Sequence, residues 1–228
     1  MRLIHYENHL TRFRVLPDQI DHTDPIWFRF LRVGVHCASW TLDVGRWTLN
    51  LQPKQMTNDL TAEEVCRLLK LEPHGTCGFV RVTFISKRRI APGGLGAPFL
   101  DGRPAGSALY FMVTPDAPVR LHRIRNDQLY HRYLGDPIEV LMLHENGTSE
   151  RVVVGPDLQA GQCVQLLIPG NTFHTARVIG QRRWFLGAST EWPGVEKVDV
   201  EIGDVEALAA KYPDVAGDLR AFQKGSRD

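Results

Sequence analysis

The sequence predicts a mainly β domain, a sandwich or barrel, with short helices at both ends. Three observations carry this expectation. Roughly ten short runs rich in β-branched and aromatic residues follow one another from Phe79 to Ile202. Turn signals separate them, among them Thr114-Pro115-Asp116, Gly135-Asp136-Pro137, Glu145-Asn146-Gly147, Gly155-Pro156-Asp157 and Pro169-Gly170-Asn171. Helix grammar appears before the first run and after the last.

The elements follow in order. Thr61-Ala62-Glu63-Glu64 has the form of a capping box, in which a hydroxyl and a carboxylate satisfy each other's backbone amides. Val65, Leu68 and Leu69 then make an apolar stripe at helical spacing. Pro73 disfavours helical geometry at Glu72, so the helix should stop near Leu71. Strands are expected at 79–86, 108–114, 119–124, 129–134, 138–144, 151–154, 163–168, 173–178, 184–190 and 197–202. The Gly/Pro-rich stretch 90–106 reads as a mobile loop. Asp204 is placed to cap a short helix through Ala210. Pro213 can start another that carries Val215, Leu219 and Phe222.

Residues 1–55 stand apart, and three readings of them stay open. Trp40, Leu42 and Val44, a Gly45-Arg46 turn, then Trp47, Leu49 and Leu51 alternate as a small hairpin would. A poorly ordered extension is the second reading, and a natural start at Met56 the third. The expected division is therefore an extension over 1–55 and a main domain over 56–228.

Composition excludes several functions. Lys and Arg number 27 against 26 Asp and Glu, a formal net charge of +1, so no nucleic-acid footprint or polybasic membrane patch is expected. No apolar run approaches the ~20 residues of a membrane span, and the first twenty residues lack a signal-peptide core. A cytoplasmic protein is expected. Cys37, Cys66, Cys77 and Cys163 form no CxxC pair and read as small core residues of a reducing compartment.

Two segments carry the chemical signal. The first runs from Arg120-Leu121-His122 through Gln128 to Gly135, and the second from Gly161 through Pro169 to His174. They resemble the two signature motifs of the cupin superfamily. His122 falls at the second His of the first motif, Gln128 at its Glu and Gly135 at its closing Gly. His174 falls at the His of the second. The likeness is closer still to one cupin subfamily, DUF985 or cupin-5, whose pattern covers nearly all of 57–222. The segment LTAEEVCRLLKLEPH, then Gly78-Phe79, Arg81 and Thr83, Ser107 to Phe111, Asp127, His131, Gly155 to Leu158, Gly161-Gln162 and Pro193-Gly194 follow it in order.

The resemblance implies a double-stranded β-helix barrel, usually a homodimer, with a small-molecule pocket inside its wider mouth. It also implies a likeness to sugar-nucleotide epimerases and isomerases of the cupin class. A cupin metal site normally uses three His and one carboxylate. Here Arg120 and Gln128 replace one His and the carboxylate, which leaves His122 and His174 with a neutral amide as tentative ligands. Cofactors are therefore expected to be none, with a divalent transition metal as the open alternative.

Strand parity puts Arg120, His122 and Ile124 on one face. If Gln128, Tyr130 and Arg132 point into the barrel, His131 and Tyr133 point out. The expected chemistry is an acid–base pocket. His122 is the proposed base, since an ordinary imidazole pKa near 6.5 suits proton abstraction. His174 is its partner or a metal ligand, and Tyr110, Tyr130 or Tyr133 is the acid. Arg120, Gln128, Arg81 and Arg132 are the candidate substrate-binding groups, the arginines as bidentate forks for carboxylate or phosphate. The leading expectation is an isomerase or epimerase on a sugar-like or carboxylated metabolite. A non-enzymatic metabolite-binding cupin and a metal-dependent lyase or dioxygenase are the alternatives.

Overall fold

Thr61 and Glu64 close the expected capping box in a computed structural model of the chain. The Glu64 amide donates to the Thr61 hydroxyl at 3.2 Å, and the Thr61 amide to the Glu64 carboxylate at 2.8 Å. The structure describes residues 60–181 and 183–223, together with strand backbone at 34–36, 39–43 and 48–51. The chain divides into two units, Met1–Lys54 and Gln55–Asp228.

In the first unit, strands β1 (Gly34–His36), β2 (Ser39–Asp43) and β3 (Thr48–Leu51) form an antiparallel sheet. Trp40 pairs with Leu51 and Leu42 with Leu49. The expected turn at Gly45-Arg46 and the proposed start at Met56 lie outside the described residues.

In the second unit, helix α1 (Ala62–Leu69) ends where Lys70 takes the left-handed conformation, φ 53°. The strands that follow are β4 (Glu72–Pro73), β5 (Phe79–Ile85), β6 (Arg89–Ile90), β7 (Arg103–Pro104), β8 (Ser107–Val113), β9 (Val119–Ile124), β10 (Asp127–Gly135), β11 (Ile138–Leu143), β12 (Ser149–Val154), β13 (Gln165–Ile168), β14 (Phe173–Val178), β15 (Phe185–Trp192) and β16 (Val200–Ile202). Helices α2 (Val205–Lys211) and α3 (Ala216–Gln223) close the chain, and Asp204 caps α2 by accepting from the Ala207 amide. A single turn of 3-10 helix, Lys197–Asp199, replaces the first half of the last expected strand. No helix among the described residues is long and apolar enough to cross a membrane.

Two antiparallel sheets make the barrel, a double-stranded β-helix. One has the order β13-β10-β15-β8-β5-β4 and the other β12-β11-β14-β9-β16. Side chains alternate across each strand, so the central strands feed two cores. Phe111, Val113, Tyr130, Ile138, Val140, Ala176 and Phe185 fill the space between the sheets. Leu121, Leu141 and Leu143 on the outer face of the five-stranded sheet pack on α2 and α3 through Leu208, Tyr212, Leu219 and Phe222. Val65 and Leu71 cover Met112, Trp184 and Leu186 on the outer face of the six-stranded sheet. Gly135 turns the chain at φ 81°, where a Cβ would strike the Trp184 carbonyl and ring.

The expectation of a mobile loop over 90–106 needs correction. The segment is bounded by the β6–β7 pair and tied down by Arg103, which is fully buried. The Arg103 guanidinium donates to both carboxylate oxygens of buried Asp199 at 3.0 and 2.8 Å. A buried charge is tolerated only with such paired, hydrogen-bonded partners.

Candidate functional site

The barrel interior is apolar at one end and polar at the other. At the polar end, His122 from β9 faces His174 from β14 as a cross-strand pair, with ring centroids 4.4 Å apart. β10 contributes Gln128 and Tyr130, while β15 contributes Ser189 and Glu191, which lie opposite Tyr130 and Gln128. All six side chains are buried, none more than 5% exposed.

Both imidazoles are held in one tautomer. His122 Nδ1 lies 2.7 Å from the Arg120 carbonyl, and His174 Nδ1 lies 3.2 Å from that of Thr172. A carbonyl only accepts, so each Nδ1 carries the proton and each Nε2 a lone pair. The Tyr130 hydroxyl sits 3.1 Å from His174 Nε2 and donates to it. Burial lowers the His122 pKa to about 4, and burial with the neighbouring His122 holds His174 well below the imidazole range. Both rings are therefore neutral at pH 7. The expectation of an ordinary imidazole near 6.5 is corrected, because neither ring reaches water. Burial also raises the Tyr130 hydroxyl. It raises the Glu191 carboxyl too, although the Ser107 and Ser189 hydroxyls donate to it.

The structure disperses the candidate arginines. Arg120 is exposed rather than turned inward with His122. Val119 pairs with Ala176 and His122 with His174, so β9 holds one residue more than β14 between these pairs. That bulge breaks the parity and turns Arg120 to the surface. Arg81 lies outside the barrel, where it donates to the Leu69 carbonyl and packs over Tyr110. Arg132 is half-buried and donates to the Gly135 carbonyl at 2.8 Å. Of the three candidate tyrosines, Tyr130 alone enters the barrel. Tyr110 and Tyr133 meet edge to face on the outer surface. His131 faces outward as expected, between the Thr190 hydroxyl and the Gln165 amide.

Sequence reasoning missed Glu191. The expected strand stopped at Thr190, whereas β15 runs on to Trp192. Carrying its alternation two residues further, from Gly187 through Ser189, would have placed Glu191 inside. Ser107 has no local signal, because it enters the site through a bond to Glu191, 84 positions away.

The donor set does not fit the metal that the cupin pattern implies. Among the described residues no group of three or more His, Cys, Asp and Glu side chains is placed to hold an ion. The Tyr130 hydroxyl occupies His174 Nε2, and the amide of Gln128 is a weak ligand. A cavity of about 930 Å³ under α1, against Met112 and Trp184, contains none of the site residues. A smaller one of about 330 Å³ is lined by His74, Phe79, Asp116 and Arg120.

The family model described as Cupin_5, cupin superfamily (DUF985), matches residues 63–203, more than half of the chain. The chain is a Cupin_5 protein. Solved structures agree with this. A hypothetical protein from Leishmania major is 25% identical with a TM-score of 0.64, over 72% of this chain and 98% of that one. A protein from Shewanella oneidensis is also 25% identical with a TM-score of 0.64, over 74% of this chain and 98% of that one. No curated protein matches the chain. In this Cupin_5 protein the motif positions His122 and His174 pair across two strands and Gln128 is buried on β10, whereas Arg120 does not join them.

Proposed function

We propose that this Cupin_5 protein is a small-molecule isomerase or epimerase working at the polar end of its barrel. The observation that carries the reading is the Tyr130–His174 hydrogen bond beside the His122 ring, which sets a proton donor and a proton acceptor at one site. Epimerisation next to a carbonyl needs both a base that removes a proton from carbon and an acid that returns one. His122 Nε2 has the free lone pair for removal, and Tyr130 is the donor. Gln128 and the Glu191–Ser189–Ser107 group offer hydrogen bonds to substrate hydroxyls. Arg81, Arg120 and Arg132 stand away from these groups, which favours a sugar-like substrate over a carboxylated one. Among the described residues, metal-assisted lyase or dioxygenase chemistry has no ligand set.

The test is solvent deuterium. In D2O the protein should place deuterium on carbon in one member of a panel of keto-sugars and sugar nucleotides. Tyr130→Phe should slow this by about 10² or more. A panel left unlabelled by the wild-type protein would contradict the reading. It would favour instead a metabolite-binding cupin, a role that the low basicity of the buried His122 also suits.

A further inference from the structure

Half of the outer face of the six-stranded sheet has no cover among the described residues. α1 packs over Met112, Trp184 and Leu186 at one end of that face, while α2 and α3 close the other sheet. Beyond α1 the register aligns Leu167, Leu129, Thr190, Ala108 and Phe84 as one row across β13, β10, β15, β8 and β5. Gln165, His131, Ala188, Tyr110 and Arg81 make the neighbouring row. Phe84 and Leu167 are each 55% exposed, and Trp192, on the far side of the first row, is 58% exposed. An antiparallel sheet that keeps one face in water carries polar residues there. This face carries leucine, alanine and aromatic rings instead.

The polar groups on the face are bonded within the chain. The Gln165 amide nitrogen donates to His131 Nδ1 at 3.1 Å. His131 Nε2 therefore carries the ring proton and donates to the Thr190 hydroxyl at 2.9 Å. Burial lowers the His131 pKa, which keeps the ring neutral. These bonds survive when the face is dried, so the usual cost of burying polar groups is small here. Two charged groups stand at opposite corners. Arg81 donates to the Leu69 carbonyl, and the Asp127 carboxylate accepts from the Gly170 amide.

We propose that this face pairs with the same face of a second copy of the chain. Charge and size both select a second copy. Arg81 and Asp127 cancel, so two identical faces meet without net repulsion, and the face has no field to steer a strongly charged partner. Aromatic side chains carry about 150–250 Å² each, so the exposed parts of Phe84, Tyr133, Trp192 and Leu167 amount to roughly 500 Å² of apolar surface. Two copies bring about 1,000 Å², close to the apolar share of a standard interface of about 1,600 Å². A two-fold axis uses the same patch on both copies, so the pairing closes at two. It is independent of what the polar end of the barrel binds.

Sedimentation equilibrium of the full chain at micromolar concentration tests the pairing. It predicts a mass twice the 25.8 kDa of the chain. Phe84→Glu and Leu167→Glu each set a carboxylate in the paired face, from strands on opposite sides of it. Each should weaken the dimer about a hundredfold. Both residues are more than half exposed, so both variants should keep the circular dichroism spectrum of the wild-type protein. Val198→Glu is the control. Val198 is 61% exposed, but it lies in the 3-10 turn before β16, away from this face, so its variant should stay dimeric. A wild-type mass of one chain, or an unlike chain bound in fixed ratio, would overturn the pairing. So would a folded Phe84→Glu or Leu167→Glu protein that dimerises at wild-type strength, or a Val198→Glu protein that dissociates. If one face variant fails to fold, the other decides alone.

Discussion

The two ends of the barrel interior share strands β8, β14 and β15 and differ in what they bury. At one end Phe111, Val113, Ile138, Val140, Val154, Ala176 and Phe185 are fully buried and wholly apolar. At the other, on β8, β9, β10, β14 and β15, stand Ser107, His122, Gln128, Tyr130, His174, Ser189 and Glu191. Burying apolar surface contributes stability at about 25 cal/mol per Å², whereas each buried polar group costs free energy unless it is hydrogen-bonded. Stability alone would extend the apolar end through the whole barrel. A polar cluster retained there, with two neutral imidazoles and a raised carboxyl, is the pattern expected of a working site.

This division can be broken from the apolar side first. Phe185 is fully buried, with its ring 5.5 Å from that of Phe111. Phe185→Ala should cost about 3–5 kcal/mol in denaturant unfolding, from lost burial and the cavity left behind. The ring-nitrogen signals of His122 and His174 should nevertheless stay near their wild-type positions. Large shifts in those signals would show that the two ends are one packing unit.

The polar end has a smaller, pH-dependent signature. The folded His122 pKa is about 4 against an ordinary 6.5, and His174 is also lowered. Between these values the unfolded chain binds protons that the folded chain refuses. Stability is therefore full above about pH 6.5 and is lost as pH falls toward 4, by about 3 kcal/mol from His122 alone. Urea unfolding between pH 7 and pH 5 lies above the ordinary carboxylate range and reads the imidazoles together with the raised Glu191 carboxyl, whose contribution has the opposite sign. His122→Gln should reduce the slope, and an unchanged slope would mean that His122 is not held neutral by burial.

The sequence and the structure agree where the signal is local. Strands β9 and β14 run from Val119 to Ile124 and from Phe173 to Val178 as their alternation predicts, and Thr61 and Asp204 cap their helices as their spacing predicts. His122 and His174 were legible because two motifs name them. Arg120 was misplaced because one extra residue in β9 reverses parity, and a bulge leaves no mark in the residues themselves. Glu191 was missed because the expected strand ended one residue short of it. The Arg103–Asp199 pair was invisible because its partners are 96 positions apart and the loop around Arg103 has the composition of a free one.

The central claim is that the polar end, with His122 and His174 at its centre, takes the ligand. The direct measurement is a two-dimensional 15N spectrum of the histidine rings during titration with the keto-sugar and sugar-nucleotide panel. The account predicts that one compound shifts the His122 and His174 Nε2 signals together and saturably, while outward-facing His131 stays still. A compound that binds and moves His131 but leaves both buried rings unchanged would contradict it.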